Sequence, residues 1–457
     1  MSAHDTICAI STPPGVGGIA VLRLSGPDAK RLAEMSLRRE SGHPVRLTDH
    51  KALFAHLYTD EGFLDEVVAT LFEAPHSYTG ETVVEISCHG SLFVQQRMLQ
   101  HFVSIGARLA EAGEYTLRAF LNRRLDLSQA EAVADLIDAR SSTAHRLAVS
   151  QMRGGYAREL EQLRARFVDL SALLELELDF SDEDVEFANR KVLRQTVEEL
   201  KDKVSRLVES FQSGNALKNG VPVAIVGSPN VGKSTLLNAL LHEDRAIVSD
   251  QAGTTRDTVE ELFTINGVMF RLIDTAGIRH TDNSVEQAGI DRSRRAAEHA
   301  AIVLFVVDAA DPAPTVAEAL QQLQSSIPLA DKHLLVVRNK CDLQQPQLPV
   351  TPLTSPVVNI SAKKGDGLDA LRHFMVQAAT QGISNDDVLL TNARHYEALK
   401  HVLSALDEVL KGMDLQMPSD LLVVDIRDAL YHLGTITGKV ASDEILSSVF
   451  SRFCIGK

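Results

Sequence analysis

One stretch carries chemistry by residue type and spacing before anything else is known. In VPVAIVGSPNVGKST an apolar β-branched run from Val221 to Val226 breaks at a glycine-containing loop, and LLNALL then resumes at helical spacing. Strand, loop and helix with GxxxxGK[ST] at the junction make a phosphate cradle. Gly227 and Gly232 let backbone amides approach phosphate oxygens, and the helix N-terminus adds its dipole. Asn230, Val231, Gly232, Lys233, Ser234 and Thr235 are predicted to hold a nucleotide's phosphates, with Lys233 at the terminal groups and Ser234 as a magnesium ligand. The pattern arises by chance in about one chain of this length in sixty, so its meaning depends on the residues downstream.

From Met269 a strand-like run enters Asp274, Thr275, Ala276 and Gly277, an Asp suited to the outer magnesium shell and a Gly whose amide can reach a γ-phosphate. AIVLFVVDAA and HLLVVRNKCD read as two further buried parallel strands, the second ending in Asn339, Lys340 and Asp342. A carboxylate at Asp342 accepts two hydrogen bonds from the N1 and N2 groups of guanine, while adenine offers a mismatched edge. Ser361, Ala362 and Lys363 in PVVNISAKKG then fall at a strand end, which resembles the loop that closes over guanine in the GTPase superfamily. Motifs in this order imply GTP binding.

Hydrolysis needs more. In small regulatory GTPases a Gln follows DTAG and orients the attacking water; here Ile278 stands there and cannot hold water. The loop SDQAGTTRD supplies Ser249, Asp250, Gln251, Ala252, Gly253, Thr254 and Thr255, with Thr255 the candidate magnesium-binding switch threonine. Asn230 in the P-loop has a side-chain oxygen able to coordinate a monovalent cation. With GTTRD, this Asn resembles the tRNA-modification GTPases of the MnmE or TrmE family. The resemblance implies potassium-dependent hydrolysis triggered by G-domain dimerisation, with potassium held by Asn230 and by backbone carbonyls of Ser249, Gln251 and Thr254. It also implies that Glu286 positions water.

These groups need elements to hold them. The 457 residues allow two to four domains, and 44% hydrophobic with 23% charged residues is ordinary for a globular protein. The longest apolar run, Ala301 to Val307, is a buried strand and far too short to span a bilayer. The N-terminus has no basic start followed by an apolar stretch, so no export signal is read and a cytoplasmic place is expected. Four scattered cysteines without a CxxC pair indicate neither zinc nor a disulfide framework. A net charge of −15 argues against broad capture of nucleic acid, leaving local patches such as Arg123 with Arg124, or Arg292, Arg294 and Arg295.

Apolar residues recur at helical spacing from about Ala119 to Phe211 and again after Asp386. Neither flank buries both its faces alone, so the two are expected to join as one helical domain into which the GTPase is inserted. The expected divisions are residues 1–118, 119–214, 215–381 and 382–457. TICAIST, GIAVLRLSG, DEVVATLFEAP and TVVEISCHG are short β-type runs, so the first division reads as α+β, with PPGVGG as a turn.

The resemblance extends over the whole chain. It implies an N-terminal dimerisation module that binds a tetrahydrofolate one-carbon donor through Arg23, Glu85 and Arg124, the last standing where the family commonly has Lys. It further implies a homodimer working with the flavin-containing partner MnmG, as a heterotetramer, on C5 of the wobble uridine of tRNA, with no membrane involved. The terminal FCIGK would turn toward the folate, with Lys457 supplying positive charge and Cys454 a nucleophile or general acid/base. A different class, a GTP-dependent ribosome or RNA assembly factor, would share the G domain but would need neither the folate residues nor the terminal thiol.

Overall fold

In the computed structural model residues 5–179, 190–244, 261–273, 294–328, 332–343, 355–383 and 388–457 are described. They form two compact units, one of residues 1–137, 151–193 and 405–457, the other of residues 138–150 and 194–404, so the chain leaves the first unit and returns to it.

The first unit opens with seven strands: β1 (Ile7–Ile10), β2 (Gly17–Ser25), β3 (Leu37–Arg38), β4 (Ala52–Thr59), β5 (Gly62–Phe72), β6 (Val83–Gly90) and β7 (Arg108–Leu109). Their order across the sheet is β3-β4-β5-β6-β2-β1-β7, antiparallel throughout except for the parallel pair β1 and β7. Alternation explains this sheet. Leu22 and Leu24, Val67, Ala69 and Leu71, and Val84 and Ile86 bury one face under the helices Ala29–Ser36 and Leu92–Ser104, while the residues between them, among them Arg23 and Glu85, lie on the other face. PPGVGG ends in β2 and otherwise lies outside regular structure.

Helices complete the unit. In Gly155–Asp179 the buried residues Tyr156, Leu160, Leu163, Phe167, Leu170 and Leu174 recur every three or four positions, a stripe that packs on Leu422, Ile426, Ala429 and Leu433 of the helix Ser419–Thr437. Ion pairs Arg427–Glu175 and Lys439–Glu161 flank that seam.

The second unit holds β8 (Val221–Val226), β9 (Glu261–Ile265), β10 (Val268–Leu272), β11 (Ile302–Asp308), β12 (His333–Asn339) and β13 (Val357–Asn359), ordered β13-β12-β11-β8-β10-β9. All neighbours are parallel except β9 and β10. Both faces are covered, which is why these strands read as unbroken apolar runs. Val223, Ile225, Leu304 and Val337 pack under the helices Lys233–Asp244 and Leu368–Thr380, whereas Ala224, Val303, Phe305 and Val336 meet Ala297, Val316 and Leu320 on the opposite side. The fold is thus the multidomain α/β and α arrangement expected, with a mostly parallel sheet in the nucleotide-binding part.

Candidate functional site

At the C-terminal end of β8 the chain turns into the loop Gly227 to Gly232 before the helix Lys233–Asp244 begins. The loop has no room for side chains at its ends. Gly227 has φ 149° and a Cβ there would strike the Val306 carbonyl; Gly232 has φ 97° and a Cβ would strike the Asn339 amide. Asn230, exposed, holds φ 64°, a left-handed conformation that Asn tolerates better than most residues. Lys233 Nζ donates to the carbonyls of Gly227 at 2.7 Å and Ser228 at 2.8 Å, so the ammonium lies in the mouth of the loop. Burial lowers its pKa from the usual lysine range, which leaves a charge with incomplete solvation where phosphate oxygens would complete it. This cradle fits a nucleotide's phosphates.

The base end is tied to the phosphate end by one side chain. Buried Asn339, at the end of β12, donates from Nδ2 to the Val231 carbonyl at 2.9 Å and accepts at Oδ1 from the Ala362 N–H at 3.0 Å. Asp342 accepts at Oδ1 from Ser361 Oγ at 2.8 Å, and Lys364 Nζ lies 3.8 Å from its Oδ2. The Ser361 hydrogen bond holds the Asp342 carboxyl below the usual range, so an acceptor faces any base docked there. Lys340, at φ 66°, extends to Asp308 Oδ2 at 2.7 Å. Asp308 had no sequence signal for this role: the parallel register of β11 on β12 pairs Asp308 with Asn339. Ser234, Thr235 and Lys363 lie within these same segments. Ser249, Asp250, Gln251, Ala252, Gly253, Thr254, Thr255, Asp274, Thr275, Ala276, Gly277 and Glu286 lie outside the described residues.

A second constellation lies on the open face of the first unit's sheet. Arg23 and Glu85 are direct cross-strand partners on β2 and β6, and Arg23 Nε and a terminal guanidinium nitrogen both donate to Glu85 Oε1, at 2.9 and 2.8 Å. No described protein group donates to Glu85 Oε2. The Arg23 guanidinium stands 5.4 Å from the ring centroids of both Tyr78 and Tyr115, within the range of cation–π attraction. The Tyr115 hydroxyl donates to the Arg23 carbonyl at 2.7 Å. Neither tyrosine announced itself in the sequence. Arg124 is exposed, and no hydrogen bond or ion pair joins it to Arg23 or Glu85.

FCIGK docks onto this unit. The Tyr115 N–H donates to the Lys457 carbonyl at 3.2 Å, the Gly113 N–H to that of Cys454 at 3.5 Å, and Ser11 Oγ to that of Gly456 at 3.1 Å. Gly456 has φ 99°, and a Cβ there would strike the Ile10 carbonyl. Phe450 and Phe453 anchor the segment among Leu127, Ala130 and Phe120. Tyr115 therefore touches both the tail and Arg23. Burial pushes the thiols of Cys8 and Cys88 up to about 11, so neither is a nucleophile near neutral pH. Cys454 is exposed.

Beneath Tyr115 a charge cluster fixes the helix Glu114–Leu121. Buried Arg118 pairs with Asp5 at 2.6 Å, Glu114 at 3.0 Å and Glu81 at 3.1 Å, and Arg108 pairs with Asp5 at 2.6 Å and Glu114 at 2.5 Å. Burial alone would raise the Asp5 and Glu114 carboxyls, but hydrogen bonds from Arg108 and Arg118 outweigh it and hold both below their ordinary values.

A family model described as MnmE helical domain matches residues 127–454, and one described as GTP-binding protein TrmE N-terminus matches residues 6–124. The tRNA modification GTPase MnmE of Christiangramia forsetii is 44% identical over 475 residues, covering 100% of each chain. That of Parabacteroides distasonis is 45% identical over 462 residues, covering 99% of this chain and 100% of its own.

Proposed function

The chain belongs to the family of the tRNA modification GTPase MnmE, and from that premise we propose that its two sites serve one reaction, C5 modification of the wobble uridine of certain tRNAs with an aminomethyl or carboxymethylaminomethyl group. It is a GTP hydrolase that takes part in tRNA modification. Relatedness over the full length removes the ground for the assembly-factor alternative, which would account for the G domain alone.

The nucleotide is bound by Asn230 to Thr235, by the switch loop Ser249 to Thr255, by Asp274 to Gly277, and by Asn339, Lys340, Asp342 and Ser361 to Lys363. Magnesium ligated by Ser234 and Thr255 would offset phosphate charge. Oxygen donors of Asn230, Ser249, Gln251 and Thr254 suit a potassium ion, which would supply the charge neutralisation that an arginine finger brings elsewhere, a task worth roughly 10³ to 10⁵ in rate. Glu286 orients the attacking water, since Ile278 cannot.

A tetrahydrofolate derivative would supply the transferred carbon, held by Arg23, Glu85, Arg124 and Lys457 with Cys454 beside it. The observation that carries this reading is the contact chain from Glu85 through Arg23 and Tyr115 to the docked tail. Residues 1–118 act as the folate and dimerisation domain, 119–214 and 382–457 as the helical domain, and 215–381 as the inserted G domain. The working assembly is a cytoplasmic homodimer joined by MnmG. Among the described residues no helix is long and apolar enough to cross a membrane.

The direct experiment is mass spectrometry of wobble uridines from a strain lacking this chain, where loss of the C5 group is expected and an unchanged pattern refutes the reading. Turnover in potassium against sodium at equal ionic strength tests the cation, equal rates sinking it. A Glu286→Ala variant with unimpaired turnover would remove the water-orienting assignment.

A further inference from the structure

A chain with net charge −15 repels nucleic acid on average, so the surface that receives tRNA must be locally free of carboxylate pairing. Two basic candidates stood out in the sequence, and they fare differently. In the second, Arg294 pairs with Glu298, one helical turn along, at 3.2 Å, Arg295 is exposed without an ion pair among the described residues, and Arg292 lies outside them. Arg123 and Arg124 are exposed and make no ion pair among the described residues.

These two close the helix Glu114–Leu121. The Arg124 N–H donates to the Ala119 carbonyl at 2.8 Å and the Arg123 N–H to the Phe120 carbonyl at 2.9 Å, the bond pattern of a left-handed helix cap. Arg123 sits at its left-handed position with φ 58°, where glycine is the cheaper residue by roughly 1 kcal/mol.

The same surface continues through Gln129. Asp126 caps the following helix, Leu127–Asp138, accepting at Oδ1 from the Gln129 N–H at 2.9 Å, while Gln129 Oε1 accepts from the Asp126 N–H at 3.0 Å. Gln129 Nε2 then reaches across to the Met152 carbonyl at 3.0 Å. Met152 leads into the turn at exposed Arg153, and exposed Arg158, in the first turns of the helix Gly155–Asp179, folds its guanidinium back on the Arg153 carbonyl at 3.1 Å. A Cβ on Gly154 would lie 3.3 Å from Gln129 Nε2 and 3.7 Å from the Arg158 guanidinium, so Arg158 comes close to Gln129, a few residues along the chain from Arg123 and Arg124. Arg153 and Arg158 likewise make no ion pair among the described residues. Of the nearby carboxylates, Asp126 is engaged in its cap and Glu161 with Lys439.

We infer that Arg123, Arg153 and Arg158, with Arg124 at their edge, form a docking surface for the phosphate backbone of tRNA. The inference rests on the tRNA modification reading above. Guanidinium forks match phosphate oxygens in pairs, and RNA carries its phosphates in a row that several arginines can follow.

The test uses the full chain and an unmodified tRNA transcript, with affinity measured by fluorescence anisotropy over a series of potassium chloride concentrations. Combining Arg123→Glu, Arg153→Glu and Arg158→Glu should weaken binding by at least about tenfold and flatten the log–log salt dependence by roughly two. GTP hydrolysis should be retained, which reports that the variant is folded. Arg294→Glu should bind like the unsubstituted chain. A milder variant, Arg153→Ala with Arg158→Ala, should lie between. Undiminished binding by both arginine variants, while the unsubstituted chain binds, overturns the surface and leaves the functional reading standing. No binding by the unsubstituted chain at any salt overturns both. If polyglutamate displaces the tRNA as well as unlabelled tRNA does at equal charge, the surface takes acidic polymers generally and the RNA assignment falls.

Discussion

Asn339→Ala deletes a side chain that joins the phosphate loop to the base loop. Its amide is 3% exposed and makes two bonds, at 2.9 Å to the Val231 carbonyl and at 3.0 Å from the Ala362 N–H. Both partners are backbone groups, so the substitution leaves an acceptor and a donor unpaired. Each costs about 1 to 3 kcal/mol when solvent cannot reach it, giving roughly 2 to 6 kcal/mol in the nucleotide-binding unit. For a unit of that size 1 kcal/mol moves the melting temperature by about 2 to 4 °C, so a fall of roughly 4 to 24 °C is expected. Nucleotide affinity should fall with it, because binding must then restore a loop register that the native chain holds in advance. Asn339→Asp separates the two bonds: the carboxylate can still accept from Ala362 but turns an oxygen toward the Val231 carbonyl, and it should be no better than alanine. Thermal unfolding and titration with a fluorescent GDP analogue read both quantities. A shift under about 2 °C with unchanged affinity for Asn339→Ala would refute the strut argument.

The same geometry sets other outcomes. Asp342→Asn replaces an acceptor with a group that can donate, so competition assays should show guanine nucleotides losing their advantage and xanthine nucleotides gaining; unchanged discrimination would show that Asp342 does not face the base. Asp5 and Glu114 have lowered carboxyl pKa values, so their stabilisation is complete above the ordinary carboxyl range near pH 4 and is lost as pH falls through the lowered values. Hydrogen-exchange protection factors of the N-terminal sheet should therefore fall below about pH 4, and Arg118→Leu should cost roughly 3 to 5 kcal/mol at neutral pH by stranding buried carboxylates. Cys454→Ser should spare GTP hydrolysis and impair tRNA modification. Gly456→Ala should do the same by a different route, since its Cβ has no room against Ile10; hydrolysis lost with modification in both would move the tail's role to the nucleotide site.

The sequence reveals sites built from neighbours in the chain and conceals those built from register. The phosphate loop is legible because nine consecutive residues with the strand before and the helix after carry the geometry between them. The helical stripe from Tyr156 to Leu174 is legible for the same local reason. Arg23 facing Glu85 depends on which residue of β2 lies opposite which residue of β6, 62 positions away, and only the resemblance to a family drew them together. Tyr78 and Tyr115 were missed because an aromatic next to a strand is by default a core residue, and both are indeed largely buried. Asp308 and Lys340, 32 positions apart, meet through parallel pairing that no turn between them specifies.

The bond between Ser11 and the Gly456 carbonyl joins residues 445 positions apart, and this separation has a kinetic meaning. At ribosomal rates of about 5 to 20 residues per second, roughly 20 to 90 s pass between synthesis of the first partner and the second. For most of that interval β1 and the turn at Gly113 have been made while the seat for Phe450, Phe453 and Gly456 stays open, and the whole nucleotide-binding unit is made in between. Closing so distant a contact is among the slowest events available to a folding chain. The nascent N-terminal sheet is thus the part of this protein with the longest exposure to chaperones and to misassembly with a neighbouring nascent copy.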